Sequence, residues 1–423
     1  MTERAEDYLI RHGMLDPAFE IQACAERMRS EMERGLRGEP SSYPMIPTYL
    51  KTEGSIPEEQ SVAVIDAGGT NFRSALACFR NGSCELKHLR KAGMPGIAHS
   101  ASWEEFISFV ADAIEDLMPY TDRIGFCFSY SAEITPEIDG RVICIDKEVS
   151  IIGCEGQLVG ESLCRELERR GYPGKRCVVL NDTAAVQLGG LAKHLRDGYS
   201  ECFGQVSGTG TNTCCTVPGE KLGKLGQNAH DMIVNLECGM YDGLPQGDFD
   251  RELDLASHNP GQKRFEKMTA GVYLGELCHL ALRQAAKEQI LSRECCAAIQ
   301  KLGHMEAATA DDWAMGKGME DLAADGNDAV FIEELAKLIF ERSATLMCSN
   351  LIAMAELTDS GRDGKTAVFA EGSLVQKNHF YRPKLAELLD QNLFRELDRD
   401  VCLVVEQDTT LPGAAAAALL NLQ

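Results

Sequence analysis

One pattern occurs twice in this sequence and restricts the fold more than any other feature. An apolar strand runs into a turn of Gly and Thr, an Asn stands just after the turn, and a second strand follows. The first copy is VAVIDAGGTNFRSALACF and the second is FGQVSGTGTNTCCTV. Strands of this kind, mixed with helices, are typical of an α/β fold. The repetition indicates two related α/β halves that face each other across a cleft.

The length of the chain favours more than one domain. A chain of 423 residues exceeds one ordinary core, since domains take roughly 100–200 residues. The stretch 41–60 is rich in Pro, Ser, Gly and Glu, which predicts an irregular connection and a boundary near residue 60. From residue 61 we expect the order βββαβ, and a last helix that packs back on the first half. Periodicity predicts helices at 5–36, 103–117, 157–170, 183–196 and 411–423, and a mostly helical region at 260–357.

The first turn, in the segment DAGGTNFR at 66–73, has the composition of a phosphate-binding element. Gly68 and Gly69 allow a tight turn that brings backbone N–H groups close to a phosphate. The side chains of Thr70 and Asn71 add hydrogen-bond donors. Asp66, at the end of the strand, is placed to hold Mg²⁺ through water. The alternative interpretation is an ordinary Gly-Gly hairpin.

The second turn, SGTGTN at 207–212, lies in a matching strand–turn–strand setting. One such turn is weak evidence of a nucleotide site. Two matched turns could hold the phosphate tail of one nucleotide from both sides, which makes a pair of plain hairpins the weaker interpretation.

The segment Asn181-Asp182-Thr183 lies where the strand CVVL ends and a helix begins. Asp182 at this position either caps the helix or serves as a general base. A carboxylate at a strand end beside a phosphate site can accept the proton of an attacking hydroxyl, which accelerates phosphoryl transfer roughly 10²–10⁴-fold. The segment alone does not distinguish the two roles.

A further set of polar residues stands in apolar or Gly-rich surroundings. Carboxylates and amides in such places suit a sugar, whose ring of hydroxyls both donates and accepts hydrogen bonds. Each member by itself is also compatible with a solvated surface position. The set comprises Ser129, Lys147, Asn212, Glu237 and Glu266.

Taken in order, these motifs resemble those of the hexokinase family of sugar kinases. DAGGTNFR is similar to the first phosphate element of the family, GFCFSY to its sugar-contacting strand, LNDT to its catalytic loop and SGTGTNTC to its second phosphate element. The resemblance continues through MIPTY, NLECG, NPGQKRFEKMTAGVYLGEL and AEGS, and it extends from about residue 45 to 417.

The resemblance implies a fold, an activity and a set of roles. The fold is the two-lobed α/β fold of actin-like ATPases (ribonuclease H-like), with a cleft between a small domain at 60–181 plus 412–423 and a large domain at 1–59 plus 182–411. The implied activity is ATP-dependent phosphorylation of a hexose, with glucose the leading candidate, at the 6-hydroxyl. The implied catalytic residues are Asp182, as general base, and Lys147.

The resemblance also implies three groups of binding residues. The sugar would be held by Ser129, Asp146, Lys147, Asn181, Asp182, Asn212, Glu237 and Glu266. ATP and its Mg²⁺ would be served by Asp66, Gly68, Gly69, Thr70, Asn71, Arg73, Gly208, Thr209 and Gly210. The adenosine would be bordered by Gly372, Ser373 and Gly413.

This chain departs from the family pattern at three places near the sugar. It has Asp146 and Glu148 on either side of the lysine where the family has Thr and Gly, Tyr130-Ser131 where the family has Phe-Pro, and Cys238 where the family has Trp. The two acidic side chains either shift the sugar preference towards other hexoses or amino sugars, or point to solvent.

Two other functions are compatible with parts of the pattern. A sugar-binding regulator on the same fold, without turnover, would be expected to lose the base or a phosphate turn, and both are present. An actin- or chaperone-like ATPase would have no reason to assemble the sugar-facing set.

Charge and composition restrict the partners. The net charge of −23 and a pI near 4.9 oppose binding to nucleic acids and to anionic membranes. We expect a cytoplasmic protein, because the first residues are polar and no apolar run approaches the roughly 20 residues that span a bilayer. The 17 cysteines include no Cys-x-x-Cys pair, which favours reduced thiols.

Overall fold

The computed structural model describes residues 4–52, 54–145, 149–226 and 229–422. Its strands are β1 Ile46–Pro47, β2 Ser61–Gly68, β3 Asn71–Arg80, β4 Ser83–Gly93, β5 Ala101–Ser102, β6 Arg123–Phe128, β7 Ser131–Ile134, β8 Gly140–Cys144, β9 Ile151–Ile152, β10 Arg176–Leu180, β11 Glu201–Ser207, β12 Thr211–Val217, β13 Met232–Asn235, β14 Thr366–Glu371 and β15 Val401–Val405.

The helices connect and cover these strands. They are α1 Ala5–Arg11, α2 Ile21–Arg37, α3 Trp103–Ile114, α4 Val159–Arg169, α5 Asp182–Lys193, α6 Asp248–Ala256, α7 Arg264–Thr269, α8 Gly271–Lys287, α9 Arg293–Ile299, α10 Ala307–Ala314, α11 Gly326–Thr358, α12 Ser373–Lys377, α13 Tyr381–Leu389 and α14 Thr410–Asn421. Within the described ranges, no helix is both long enough and apolar enough to cross a lipid bilayer.

Two sheets share one topology. The first has the order β10-β6-β2-β3-β4, and the second has the order β1-β13-β12-β11-β14-β15. In each, an antiparallel hairpin (β2–β3 or β11–β12) is extended on one side by two strands parallel to its first strand. Five strands numbered along the chain therefore take the order 5-4-1-2-3 in both sheets, with β1 added at the edge of the second. The prediction of two related α/β halves is confirmed.

Two helices lie between the sheets. Helix α14 packs on β2, β6 and β10 of the first sheet, and α5 packs on β11 of the second, while the two helices pack on each other. Their contact is tight because small residues line it: a Cβ at Gly413 would overlap the backbone of Ala185, and a Cβ at Gly189 would overlap the backbone of Thr409. The predicted return of the last helix to the first half is confirmed.

Most of the predicted helices are present, and the differences have local causes. The region 5–36 forms two helices, because Gly13 takes a left-handed φ of 65° and Asp16-Pro17 follows. The helix from Trp103 ends at Ile114 and continues as a 3₁₀ segment, Glu115–Tyr120, which contains Pro119. The helix predicted at 183–196 spans Asp182–Lys193.

Candidate active site

Strand register in the first sheet places several of the predicted site residues at the same edge of the sheet. Strands β2, β6 and β10 are parallel, and Asp66, Cys127 and Leu180 lie side by side across them. The carboxyl ends of these strands therefore meet at the same edge. Three predicted segments come directly after this row of residues. They are the first Gly turn after β2, Ser129 after β6, and Asn181-Asp182 after β10.

Asp182 is not the N-cap of α5, which was one of the two roles that the sequence left open. Asn181 is the N-cap of α5, and its side-chain oxygen accepts a hydrogen bond from the Ala184 N–H at 3.1 Å. Oδ1 of Asp182 accepts from the N–H and the hydroxyl of Thr183, at 2.8 and 3.2 Å. Oδ2 accepts no hydrogen bond from any residue that the structure describes. The half-buried carboxylate thus has one oxygen open to a ligand, at the positive end of a helix.

Asp66 and Asp182 flank the same buried thiol. Burial raises the pKa of Cys127 well above its ordinary value, and the negative charges of Asp66 and Asp182 raise it further. The strand ends of β2 and β10 therefore place the candidate metal residue and the candidate base on either side of β6.

Three amide and carboxylate side chains form a hydrogen-bonded cluster at the edge of the second sheet. The Nδ2 of Asn212 donates to Oδ1 of Asn235 at 2.8 Å and to Oε1 of Glu237 at 2.9 Å. The Nδ2 of Asn235 donates to the same Oε1 at 2.6 Å. Glu237 has a left-handed backbone with a φ of 53°, an uncommon conformation that is concentrated at functional sites.

The carboxylate of Glu237 lies among other acids. Burial raises its pKa above the ordinary value of 4.5, the hydrogen bond from Asn235 opposes that rise, and the charges of Asp182 and Glu266 add to it. The predicted residues Asp182, Asn212, Glu237 and Glu266 are therefore neighbours, although the first and the last are 84 positions apart in the sequence.

Glu266 lies between the amide and carboxylate cluster and the second turn. Its Oε2 accepts a hydrogen bond from the N–H of Thr211 at 3.3 Å, and a Cβ at Gly210 would lie 3.1 Å from the same oxygen. Lys263 lies on the other side, with its Nζ 3.8 Å from Oε1. Glycine at position 210 thus leaves room for the carboxylate.

Hydrogen bonds and an ion pair hold the side chain of Asp66, the acidic residue before the first turn. Nε and Nη2 of Arg73 donate to Oδ2 of Asp66 at 3.0 and 2.5 Å, and the hydroxyl of Thr410 lies 3.1 Å from that oxygen. Arg73 also pairs with Asp408 at 2.8 Å. Oδ1 of Asp66 takes no hydrogen bond within the described residues, so one carboxylate oxygen remains for a hydrated cation. The residues fit Mg²⁺ held through water.

The second turn lies against the residues predicted to border the adenosine. The N–H of Gly208 donates to the carbonyl of Gly210 at 3.0 Å, and its own carbonyl accepts from the N–H of Gly271 at 2.8 Å. A Cβ at Gly208 would lie 3.1 Å from the Ser373 nitrogen. Gly372 has a φ of 123°, and a Cβ there would overlap Ser207. Glycine at positions 208 and 372 thus allows a close approach of the second turn to the segment at 372–373.

The remaining predicted site residues lie in different kinds of position. Ser129 follows β6 next to the first turn, since a Cβ at Gly68 would lie 3.3 Å from its Oγ. Gly413 lies at the contact of α14 with α5, so helix packing already explains this glycine. The predictions for Asp146, Lys147 and Glu148 fall outside the described residues. Thr70, Asn71 and Thr209 lie on the two turns, where Asn71 and Thr209 are exposed.

Three residues of the candidate site were not predicted from the sequence: Asn235, Thr410 and Asp408. Asn235 ends an apolar strand, MIVN, and the rule that selected the other polar residues could have found it. Thr410 and Asp408 carry no local signal, because they reach the first turn only when α14 packs on the first sheet.

The chain is similar in sequence to known hexokinases. Sequence models of the hexokinase family match residues 13–191 and 202–420. Hexokinase-3 of Rattus norvegicus is 28% identical over 393 residues, which cover 86% of this chain and 42% of the rat protein. The chain thus spans less than half the length of that relative. The hexokinase of Schwanniomyces occidentalis is 26% identical over 460 residues, which cover 98% of this chain and 93% of that protein.

A solved structure agrees in fold over nearly the whole chain. The hexokinase from Schistosoma mansoni, complexed with glucose, matches with a TM-score of 0.78 at 22% identity and covers 98% of each chain. This match confirms the predicted two-lobed α/β fold. Because the second matched segment alone exceeds half of the sequence and the first accounts for most of the rest, the chain belongs to the hexokinase family.

Proposed function

We propose that this protein transfers the γ-phosphoryl group of ATP to the 6-hydroxyl of a hexose, giving hexose 6-phosphate and ADP. The observation that carries the proposal is the position of Asp182. Its carboxylate has an open oxygen, it flanks Cys127 together with Asp66 of the first phosphate turn, and its charge acts on Glu237 of the amide and carboxylate cluster. In this proposal the base Asp182, the first phosphate turn and the amide and carboxylate cluster act in one reaction.

The polar cluster is suited to bind the sugar. Oε1 of Glu237 is occupied by two amide donors, which leaves Oε2 for a sugar hydroxyl. Asn181 uses its side-chain oxygen as the helix cap, so its NH₂ group remains to donate. Glucose is the leading candidate, because the related Schistosoma mansoni hexokinase was solved with glucose.

The chemistry assigned to Asp182 is general base catalysis. As the 6-hydroxyl oxygen forms a bond to the γ-phosphorus, Oδ2 of Asp182 accepts the hydroxyl proton. The bond from that phosphorus to the bridging oxygen breaks, and ADP leaves with the electron pair. Mg²⁺, when bound, neutralises charge on the phosphates. Asp66 would hold it through water, with Arg73 and Thr410 fixing the orientation of Asp66.

The domain division belongs to the same proposal. A small domain at 60–181 plus 412–423 would close on a large domain at 1–59 plus 182–411 and exclude water from the site. The first sheet spans residues 61–180 and carries α14, whereas β1 pairs with β13 of the second sheet. A cytoplasmic location stays a prediction of the sequence.

The test is ADP release from Mg-ATP over a panel of hexoses, for the native protein and for Asp182→Asn. We expect release that depends on the hexose, and a decrease in kcat of about 10²–10⁴-fold in the variant. Hexose affinity should fall much less, because the amide keeps the size of the side chain. Asp363→Asn, which changes an exposed carboxylate, is the matched control.

Two results would contradict the proposal. Hydrolysis of ATP at the same rate without any hexose would make the protein a plain ATPase. Hexose binding with no ADP release in the native protein would make it a sugar-binding regulator.

A further inference from the structure

The first phosphate turn is held by a side chain from the neighbouring strand. The hydroxyl of Tyr130 donates a hydrogen bond to the carbonyl oxygen of Gly69 at 2.6 Å. Tyr130 is 5% exposed, and its ring packs at an angle of 60° on Phe128, with centroids 5.1 Å apart. Burial raises the pKa of the Tyr130 hydroxyl above its ordinary value of 10, so it stays a proton donor.

The hydrogen bond from Tyr130 holds a part of the turn that the hydrogen bonds of the sheet do not hold. Gly68 pairs with Asn71 in the ladder of β2 and β3, so Gly69 and Thr70 form a two-residue hairpin loop. The ladder hydrogen bonds hold the groups on either side of the loop but not its central peptide, which joins Gly69 to Thr70. Gly69 has a φ of 57°, and a Cβ there would touch nothing within 4 Å. Among the described residues, packing at the Cβ position of Gly69 therefore does not restrain the turn.

A fixed carbonyl fixes the opposite N–H. The peptide unit is planar and trans, so the Gly69 carbonyl and the Thr70 N–H point in opposite directions. When Tyr130 holds the carbonyl, the Thr70 N–H is directed away from the β6 side of the turn. Met94 adds a second restraint, because its N–H donates to the carbonyl of Thr70 at 3.0 Å.

We propose that Tyr130 is a positioning residue that orients the central peptide of the first turn, so that the Thr70 N–H donates to a phosphate oxygen of the nucleotide. The inference rests on the proposed function for the identity of the ligand. Tyr130 contacts the turn and does not enter the chemistry. It also lines, with Asn181 and Asn235, a gap of about 20 Å³.

The test is Tyr130→Phe, which removes the hydroxyl and keeps the ring. We expect the KM for ATP to rise about 3–10-fold, as loss of one hydrogen bond predicts, while the KM for the hexose changes less than twofold. Calorimetry with Mg²⁺ and the non-hydrolysable β,γ-imido analogue of ATP should show the same loss. AMP, which lacks the distal phosphates, should bind equally to both forms.

The matched control is Tyr8→Phe. The hydroxyl of Tyr8 is also buried and also donates to a backbone carbonyl, that of Ala281 at 2.8 Å, but it lies far along the chain from either turn. Both variants should lose similar thermal stability, and only Tyr130→Phe should lose affinity for the imido analogue. Thermal unfolding confirms that both are folded.

The outcomes separate this inference from the proposed function. Unchanged affinity of Tyr130→Phe for the imido analogue, or an equal loss for AMP and the analogue, would overturn the positioning role even if the native protein phosphorylates hexoses. Absence of hexose-dependent ADP release in the native protein would overturn the proposed function. In that case a loss of affinity confined to the imido analogue would still support the orientation of the turn.

Discussion

At the scale of single residues, Glu237, which we propose as a sugar-binding residue, combines two features that oppose stability. Its backbone is left-handed, and its half-buried carboxylate lies near the charges of two other acids. Both features are unfavourable for folding, and in the proposed function both serve to present a charged acceptor to the sugar. The hydrogen bonds from Asn212 and Asn235 offset part of this cost.

Glu237→Gln should separate stability from function. Burial raises the pKa of Glu237 above 4.5 in the folded protein, so folding favours the protonated form, and stability is lost as the pH rises from 4.5 through the raised pKa. The neutral amide removes that loss. We expect the melting temperature of the variant to exceed the native value by a few degrees at neutral pH, with no gain below pH 4.5.

The same variant should bind sugar poorly, with a hexose KM about 10–100-fold higher, because hydrogen bonds to charged groups are strong. Glu220→Gln changes an exposed carboxylate and serves as the control. A stability gain that is the same at pH 4 and pH 7 would show that ionisation of Glu237 is not the cause.

At the scale of elements, the contact between α5 and α14 joins the two sheets. Gly413→Ala would place a methyl group on the carbonyl of Ala185, and neither helix can move without disturbing a sheet. We expect a loss of about 3 kcal/mol or more in the free energy of unfolding, measured by urea titration.

Gly303→Ala is the control for this helix contact. Gly303 does not have a left-handed φ, and a Cβ there would meet nothing within 4 Å, so the change should be close to neutral. Equal effects of the two substitutions would show that the helix contact does not set the loss, because the entropy that alanine removes from the unfolded chain favours folding at both positions. A nucleotide KM that changes with no loss of stability would favour the predicted adenosine role of Gly413.

Element boundaries show what local sequence can and cannot supply. The start of α5 was predictable because Asn181 caps it and an apolar strand precedes it. The strand β7 and the helices α6, α12 and α13 were not predicted. They are short, at four to nine residues, and so short a segment shows too few turns or alternations for its periodicity to be recognised.

At the scale of the whole molecule, the net charge of −23 opposes an anionic nucleotide. Raising the ionic strength from about 0.01 M to about 0.15 M shortens the screening length from about 30 Å to about 8 Å. We therefore expect the KM for Mg-ATP to fall about two- to threefold with added salt. The KM for a neutral hexose should stay constant and is the internal control. A rise in the KM for Mg-ATP would show that cationic groups near the turns dominate the field.

The sequence by itself determined the two hairpins, their Gly-rich turns and the position of Asp182 at the end of an apolar strand. These features depend on neighbours in the chain: glycines that permit tight turns, apolar runs that make strands, and polar residues at strand ends. Their repetition was enough to indicate two related halves, and the identical strand order of the two sheets bears this out.

Only the tertiary structure decided which of these residues are neighbours. Strand register places Asp66 and the segment of Asp182 on either side of Cys127, and the return of α14 brings Thr410 and Asp408 to Arg73. The same packing decided that Asn181 is the helix cap, which frees Asp182. Such contacts join residues up to 344 positions apart, and no local pattern records them, because they depend on the packing of whole elements.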